Sequence, residues 1–269
     1  YGMKPSFGLI PRTGMLKTTD SLDTLGFFTV YQRDLERVFD AMRVHGKNYP
    51  VSDAALTNIS RQHKPEGRAW RIGVARTHTW EGTPQYAKDA LEAFVAKIGA
   101  LEGVEITDAE LPVGMQDAHA IHETIYNKAL SYYFQTEYSQ GEAVSPVMQQ
   151  LITAGNAVSI DTYKEALANQ TELIYAMDDY FAQFDIIISL STAGEAPPRE
   201  VFELPDPALM WTLTHLPAVS APVFRSPNNL PFGAQFVARK YNDKLLFEFL
   251  RYLEAHAVIP QKAGYAVSI

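Results

Sequence analysis

The chain has 269 residues, 46 % hydrophobic and 20 % charged, which is apolar material for one large core or two small ones. Its formal net charge is −8, and the longest basic cluster, Arg61 to Arg71, is broken by Pro65, Glu66 and Gly67, so direct nucleic-acid binding is not expected. There is no cysteine and no apolar run long enough to span a bilayer, which excludes disulfides and a thiolate nucleophile from this chain and leads to the expectation of a cytoplasmic protein with no membrane partner.

The stretch Tyr1 to Gly26 is dense in Gly, Pro, Ser and Thr and carries no targeting leader; it reads as the interior of a domain. Thr29-Val30-Tyr31-Gln32 has capping-box spacing, and Leu35, Val38, Phe39 and Met42 follow at helical spacing, which predicts a helix over Val30 to Arg43. The polar, Pro-containing stretch His45 to Glu66 reads as surface loop. Trp70 to Ala75 reads as a strand. Thr83-Pro84 opens a helix carrying Leu91, Phe94, Val95, Ile98 and Leu101, and Val104 to Leu111 is a second strand. Strand, helix and strand at this spacing predict a crossover and parallel pairing.

Helical patterns run over Asp117 to Tyr138 and Ile160 to Phe184, the second opening on Ser159. Phe184-Asp185-Ile186-Ile187-Ile188-Ser189 is a continuous apolar run, the pattern of a central strand covered on both faces. Ala218 to Ala221 and Phe232 to Ala238 read as two strands around the turn-rich Arg225-Ser226-Pro227-Asn228-Asn229. A last helix is capped near Asn242 or Asp243 and carries Leu245, Leu246, Phe249, Leu250 and Leu253. Helices alternating with buried strands predict an α/β fold, a three-layer α/β/α sandwich with a mixed central sheet.

Three segments, in this order, are similar to one family. They are Met3-Lys4-Pro5-Ser6-Phe7-Gly8 leading to Ser21-Leu22-Asp23-Thr24-Leu25-Gly26; Phe184 to Ser189 with Thr192 and Ala196-Pro197; and Leu216-Pro217-Ala218-Val219-Ser220-Ala221-Pro222 with Leu230 to Val237 and Asp243. Together they resemble the amidase signature family of serine-dependent amide hydrolases. Phe27 departs from the pattern, since relatives usually carry Pro there. The resemblance implies that residues 1–269 are the C-terminal portion of a single amidase-like domain lacking its N-terminal part. It also implies that the nucleophilic Ser, the bridging Ser and the Lys base lie upstream of Tyr1, so that no catalytic residue is expected within this chain. The missing N-terminal segment, or self-association, is then expected to cover the exposed front of the sheet.

Several residues have two readings. Lys4, nearest the implied signature, matches a family position outside the catalytic triad and reads as structural. Ser21 and Asp23 could polarise a water, or bond nearby backbone. Asp185 could cap the turn entering its strand. His119 and His122 share a helix face with Glu123, but their order is not that of a zinc helix and no third ligand is evident, so no metal is expected. Trp211 and His215 precede Leu216-Pro217, where the family brings a loop toward the site; His215 stands where many relatives have Gly. These two, with Thr192 just beyond a central strand, are the candidate residues of the substrate pocket, for substrate contact or for packing. Nucleotide and flavin motifs are absent and no cofactor is expected. The function implied is hydrolysis of a small-molecule amide. A truncated, non-catalytic protein that binds a ligand or partner, and a member of the family's amidotransferase branch, working with partner subunits, are the alternatives.

Overall fold

A computed structural model describes residues 1–141, 144–201 and 206–264. Seven strands form one mixed sheet in the order β2-β1-β6-β7-β5-β3-β4 among the described residues. They are β1 (Gly2–Lys4), β2 (Phe27–Phe28), β3 (Trp70–Val74), β4 (Val104–Asp108), β5 (Ile186–Leu190), β6 (Ala218–Arg225) and β7 (Pro231–Val237). The pairing changes character at β5. On one side β5 and β3 run parallel, Ile72 opposite Ile186, and β3 pairs parallel with β4; on the other side β5-β7, β7-β6, β6-β1 and β1-β2 are all antiparallel.

Ten α-helices surround the sheet in the described residues: α1 (Asp34–Met42), α2 (Pro50–Thr57), α3 (Ile59–Gln62), α4 (Gln85–Gly99), α5 (Ala118–Tyr133), α6 (Gln135–Ser139), α7 (Pro146–Ala157), α8 (Ile160–Tyr180), α9 (Leu209–Leu213) and α10 (Asp243–Ala255). All five residues of β5 are buried, as its unbroken apolar run requires, and they divide between two cores because successive side chains point to opposite faces. Ile186 and Ile188 pack with Ile72, Val219 and Phe236 against α4 and α10, through Leu91, Phe94, Ile98, Leu246, Phe249 and Leu253. Ile187 packs with Ala75, Ala218 and Val237 against α5, α8 and α9, through Ile125, Leu173, Met177 and Trp211. This is the α/β/α sandwich. Phe249 is fully buried, its ring 4.9 Å from that of Trp70 and 5.8 Å from that of Phe236.

Local signals place the helix ends unevenly. Ser159 caps α8 by accepting the Thr162 N–H at 3.0 Å. The Thr29 spacing is not used: its hydroxyl donates to the Tyr31 carbonyl, and α1 begins at Asp34. Thr83 does not cap α4 either; its hydroxyl donates to the Thr79 carbonyl and Pro84 takes the cap position. The stretch His45 to Glu66 is not loop throughout, because Pro50 occupies the first turn of α2, where a missing N–H costs nothing. Ser145-Pro146 does the same for α7, Ser145 accepting the Met148 N–H.

The front of the sheet is tied to α10. Asp243, fully buried, accepts the Ser6 N–H at 2.9 Å and the Ser6 hydroxyl at 2.7 Å, and Ser6 Oγ in turn accepts the Tyr241 N–H at 2.7 Å. Lys4, pairing opposite Ala218, donates to the Leu216 and Pro5 carbonyls. Burial lowers its pKa to about 8, against the attraction of Asp243 and with the help of Lys240. Both residues therefore serve to join β1, β6 and α10.

Candidate active-site cleft

A cleft of about 480 Å³ opens beyond the carboxyl end of β5. Three chain segments line it: Ser191 to Pro197, Asp206 to Ala208, and the β6–β7 pair through Ser220, Pro222 and Pro231 to Gly233. The chain leaves β5 with Ser191 donating both its N–H and its hydroxyl to the Gly233 carbonyl, each at 2.9 Å. Thr192 Oγ1 donates to the Gly194 carbonyl at 2.9 Å. Two close approaches require glycine. A Cβ at Gly233 would lie 2.5 Å from the Ala221 carbonyl oxygen, and one at Gly194 would run into the Tyr86 hydroxyl oxygen.

Glu195 fixes the far side of the loop. Its N–H donates to Tyr86 Oη at 2.9 Å, and its carboxylate accepts from the Ser226 hydroxyl and from Asn228 Nδ2 at 2.7 Å. The loop after β5 is thereby pinned to the β6–β7 turn. Phe232 forms an apolar wall, with Tyr86 edge-on at 5.6 Å and Phe224 at 5.0 Å. The described lining offers hydroxyls at Ser191, Thr192 and Ser220 and carboxylates at Glu195 and Asp206, but no Lys, Arg or His. It can orient a small, partly apolar ligand through hydroxyls; a serine nucleophile would need a base from elsewhere.

Of the sequence-expected pocket residues, Thr192 lines this cleft. Trp211 and His215 are not among its lining residues. Trp211 is fully buried on α9, its indole N–H without a hydrogen-bond partner among the described residues. His215 follows α9 with φ +65°, its ring stacked on Phe7 at 4.0 Å. Its Nε2 lies 2.7 Å from the Ser21 carbonyl and its Nδ1 3.3 Å from Lys240 Nζ, so the pair of contacts is satisfied by a neutral ring donating from Nε2 and accepting at Nδ1. Burial lowers its pKa to about 4; the bond to Ser21 opposes this, and the charges of Lys240 and Lys4 add to it. α9 still bears on the cleft, because Pro207 and Ala208 lead into it.

The other residues singled out by sequence have local partners. Asp23 accepts the Thr18 and Thr19 N–H groups at 2.9 and 3.1 Å and pairs with Arg12 at 3.0 Å; Ser21 presents its carbonyl to His215 and Gln170. His119 contacts the Asp206 carbonyl at 3.0 Å and the His78 ring edge-on, and His122 stacks on Tyr126. Among the described residues no group of three or more His, Cys, Asp or Glu could hold a metal ion, and no helix is long and apolar enough to cross a membrane. The Glu195–Ser226–Asn228 tie escaped sequence reading. Its only signal was a turn-rich segment, and the partners meet only once the sheet has formed.

A family model described as Amidase matches residues 1–247. Among curated proteins, the chain is 27 % identical to a Glutamyl-tRNA(Gln) amidotransferase chain of Sulfurimonas denitrificans over 92 % of this chain and 61 % of that protein. It is 25 % identical to the corresponding protein of Treponema denticola, over 93 % of this chain and 59 % of the relative. Among solved structures, 6-aminohexanoate cyclic dimer hydrolase superposes with a TM-score of 0.73 at 17 % identity, covering 96 % of this chain and 60 % of that one. The Glutamyl-tRNA(Gln) amidotransferase chain from Thermotoga maritima superposes with a TM-score of 0.73 at 19 % identity, covering 98 % and 61 %. The chain thus spans about three-fifths of the length of the curated relatives it matches.

Proposed function

Because this chain belongs to the amidase family, we propose that the gene product carrying it hydrolyses carbon–nitrogen bonds of small-molecule amides other than peptide bonds. In this reading residues 1–269 are the C-terminal portion of one amidase-like domain working in the cytoplasm. The supporting observation is the cleft beyond β5: it has an apolar wall and three hydroxyls that suit an amide, yet its described lining has no Lys or His to activate a serine. The nucleophilic Ser, the bridging Ser and the Lys base belong to a segment preceding Tyr1. That Ser attacks the amide carbonyl carbon, the amine leaves with the proton relayed from the Ser hydroxyl, and water then releases the acid from the acyl-serine. Thr192 contacts the substrate directly. Trp211, on α9, and His215, just after it, take the packing role behind the wall that Pro207 and Ala208 give the cleft.

The test is to incubate the full-length gene product with a panel of aryl and alkyl amides, and to map where a fluorophosphonate probe attaches. Hydrolysis together with a labelled Ser upstream of Tyr1 is the expected result. A labelled Ser within Tyr1 to Ile269, or no hydrolysis and no label, defeats the proposal; the second outcome leaves the non-catalytic, ligand-binding alternative. The amidotransferase reading draws support from the two curated amidotransferase relatives. It requires that the protein copurify with partner chains and that amide cleavage depend on them; a free, fully active monomer would dismiss it.

A further inference from the structure

A second cleft, of about 500 Å³, lies at the opposite end of the sheet, by the amino ends of β3 and β5. The residues that line it come from separate stretches of chain: Arg61 on α3, Arg68 and Arg71 around the start of β3, Phe184 and Asp185 ahead of β5, and Arg239 between β7 and α10. Four guanidinium groups thus border one opening, in a chain whose overall charge is −8.

The carboxylates nearby do not balance them. Asp185 alone among the lining residues is acidic. It accepts from Arg68 twice, at 2.8 Å each, from the Arg71 N–H at 3.0 Å and from Arg71 NH2 at 3.2 Å. Asp178, behind the rim, is taken bidentately by Arg239. Glu248 faces His63 at 2.7 Å on the outer edge. Arg61 has no carboxylate within ion-pair distance among the described residues; its Nε donates to Asn242 Oδ1 at 2.7 Å and its NH2 to the Lys240 carbonyl. Arg71 Nε is buried without a hydrogen-bond partner among the described residues. Two carboxylates therefore pair with three of the four arginines, and Arg71 NH1 donates to the Ala182 carbonyl at 2.8 Å. Burial lowers the pKa of Arg61 most, the neighbouring Arg239 adds to this, and Asp178, Tyr241 and Asp243 oppose it.

We propose that this cleft binds a phosphate-class dianion, the head group of a small phosphorylated molecule. Guanidinium forks suit phosphate oxygens, and a tetrahedral dianion would bring two negative charges to the opening where Asp185 brings one. The cavity is large enough to hold more than the ion itself. Asp185 has a defined part in this site: it orients Arg68 and Arg71 while cancelling only one of their charges. The cleft stands apart from the amide cleft, so the proposal does not depend on the amide reading. A bound anion would instead couple α3, the start of β3 and the connection from β7 to α10 through their arginines.

The experiment is equilibrium binding of inorganic phosphate to the full-length gene product at physiological salt, with chloride at equal ionic strength as reference. Saturable binding with Kd of about a millimolar or tighter is expected. Arg61→Gln should weaken it by roughly tenfold or more, whereas Lys164→Gln, an exposed charge on α8, should leave it unchanged. On the unmodified protein, phosphate should protect Arg61 and Arg71 selectively from phenylglyoxal, read by peptide mass; this arm remains if Arg61→Gln does not fold. Absence of saturable binding, equal losses in both variants, or unselective protection overturns the proposal. So does RNA binding at this cleft that phosphate fails to compete.

Discussion

Replacing Asp243 with Asn isolates the tie between the front of the sheet and α10. Both carboxylate oxygens of Asp243 accept from Ser6, the pattern of an ionised group, although burial pushes its pKa up against those bonds and the charge of Lys4. Asn keeps the shape and one acceptor, so the bond from the Ser6 N–H survives. The bond from the Ser6 hydroxyl does not: Asn presents N–H groups where Asp243 presented Oδ2, so the Ser6 O–H loses its charged acceptor. Losing a hydrogen bond to a charged group costs about 1.5–3 kcal/mol. Lys4 also loses its counter-charge, but that penalty has a ceiling. With a pKa of about 8, Lys4 can shed its proton at pH 7 for about 1.4 kcal/mol and still donate to the Leu216 carbonyl as an amine. The expected loss is about 3–4.5 kcal/mol at pH 7, and about 1.4 kcal/mol less at pH 9, where Lys4 is already neutral. Denaturant unfolding of Asp243→Asn, Lys4→Met and the double variant in the full-length gene product reads this directly. The double variant should cost less than the sum of the single ones. A loss under about 1 kcal/mol, or additivity within about 0.5 kcal/mol, would refute the coupling.

Three further outcomes are expected. Phe249→Ala should destabilise by about 3–5 kcal/mol, because its fully buried ring joins α10 to Trp70 and Phe236; a change under about 1 kcal/mol by denaturant titration would contradict that packing. His215, neutral in the fold down to a pKa of about 4 against 6.5 unfolded, binds its proton more readily when unfolded. It therefore gives stability above pH 6.5, lost as pH falls from 6.5 to 4, and His215→Gln should flatten that limb by up to about 3 kcal/mol in melting experiments between pH 7 and 4; an unchanged slope would remove His215 from it. Residues 1–269 expressed alone should self-associate, since β2 ends the sheet with Phe28 89 % exposed; a cooperative monomer by light scattering and calorimetry would contradict this.

The sequence disclosed those elements whose pattern is long or unbroken. β5, β7, α8 and α10 were legible because burial on one or both faces constrains five or more consecutive residues. β1 and β2, of three and two residues, are too short to show a period, and α9 is a five-residue turn of helix held by Trp211. α2 was hidden by its own proline, read as a breaker where it is a starter. Thr192 was legible from its place after a central strand. The arginine cleft was not, for a physical reason: Arg61 and Arg71 counted as one interrupted basic stretch, while Arg239, which completes the opening, is brought beside them only by the antiparallel return of β7.

The change from parallel to antiparallel pairing at β5 also shapes how the chain folds. The β6–β7 hairpin closes across the short turn around Asn228, whereas β5 must find β3 from Ile186 back to Ile72, and β1 must find β6 from Gly2 on to Ser220. Closing such distances is slow, so the hairpin is expected to form first and wait with both its edges open. Pro222, within the register shift of β6, and Pro231, at the start of β7, offer no N–H to an intruding strand. The two prolines, which also line the cleft beyond β5, thus leave the nascent sheet two fewer donors for pairing with another chain during that interval.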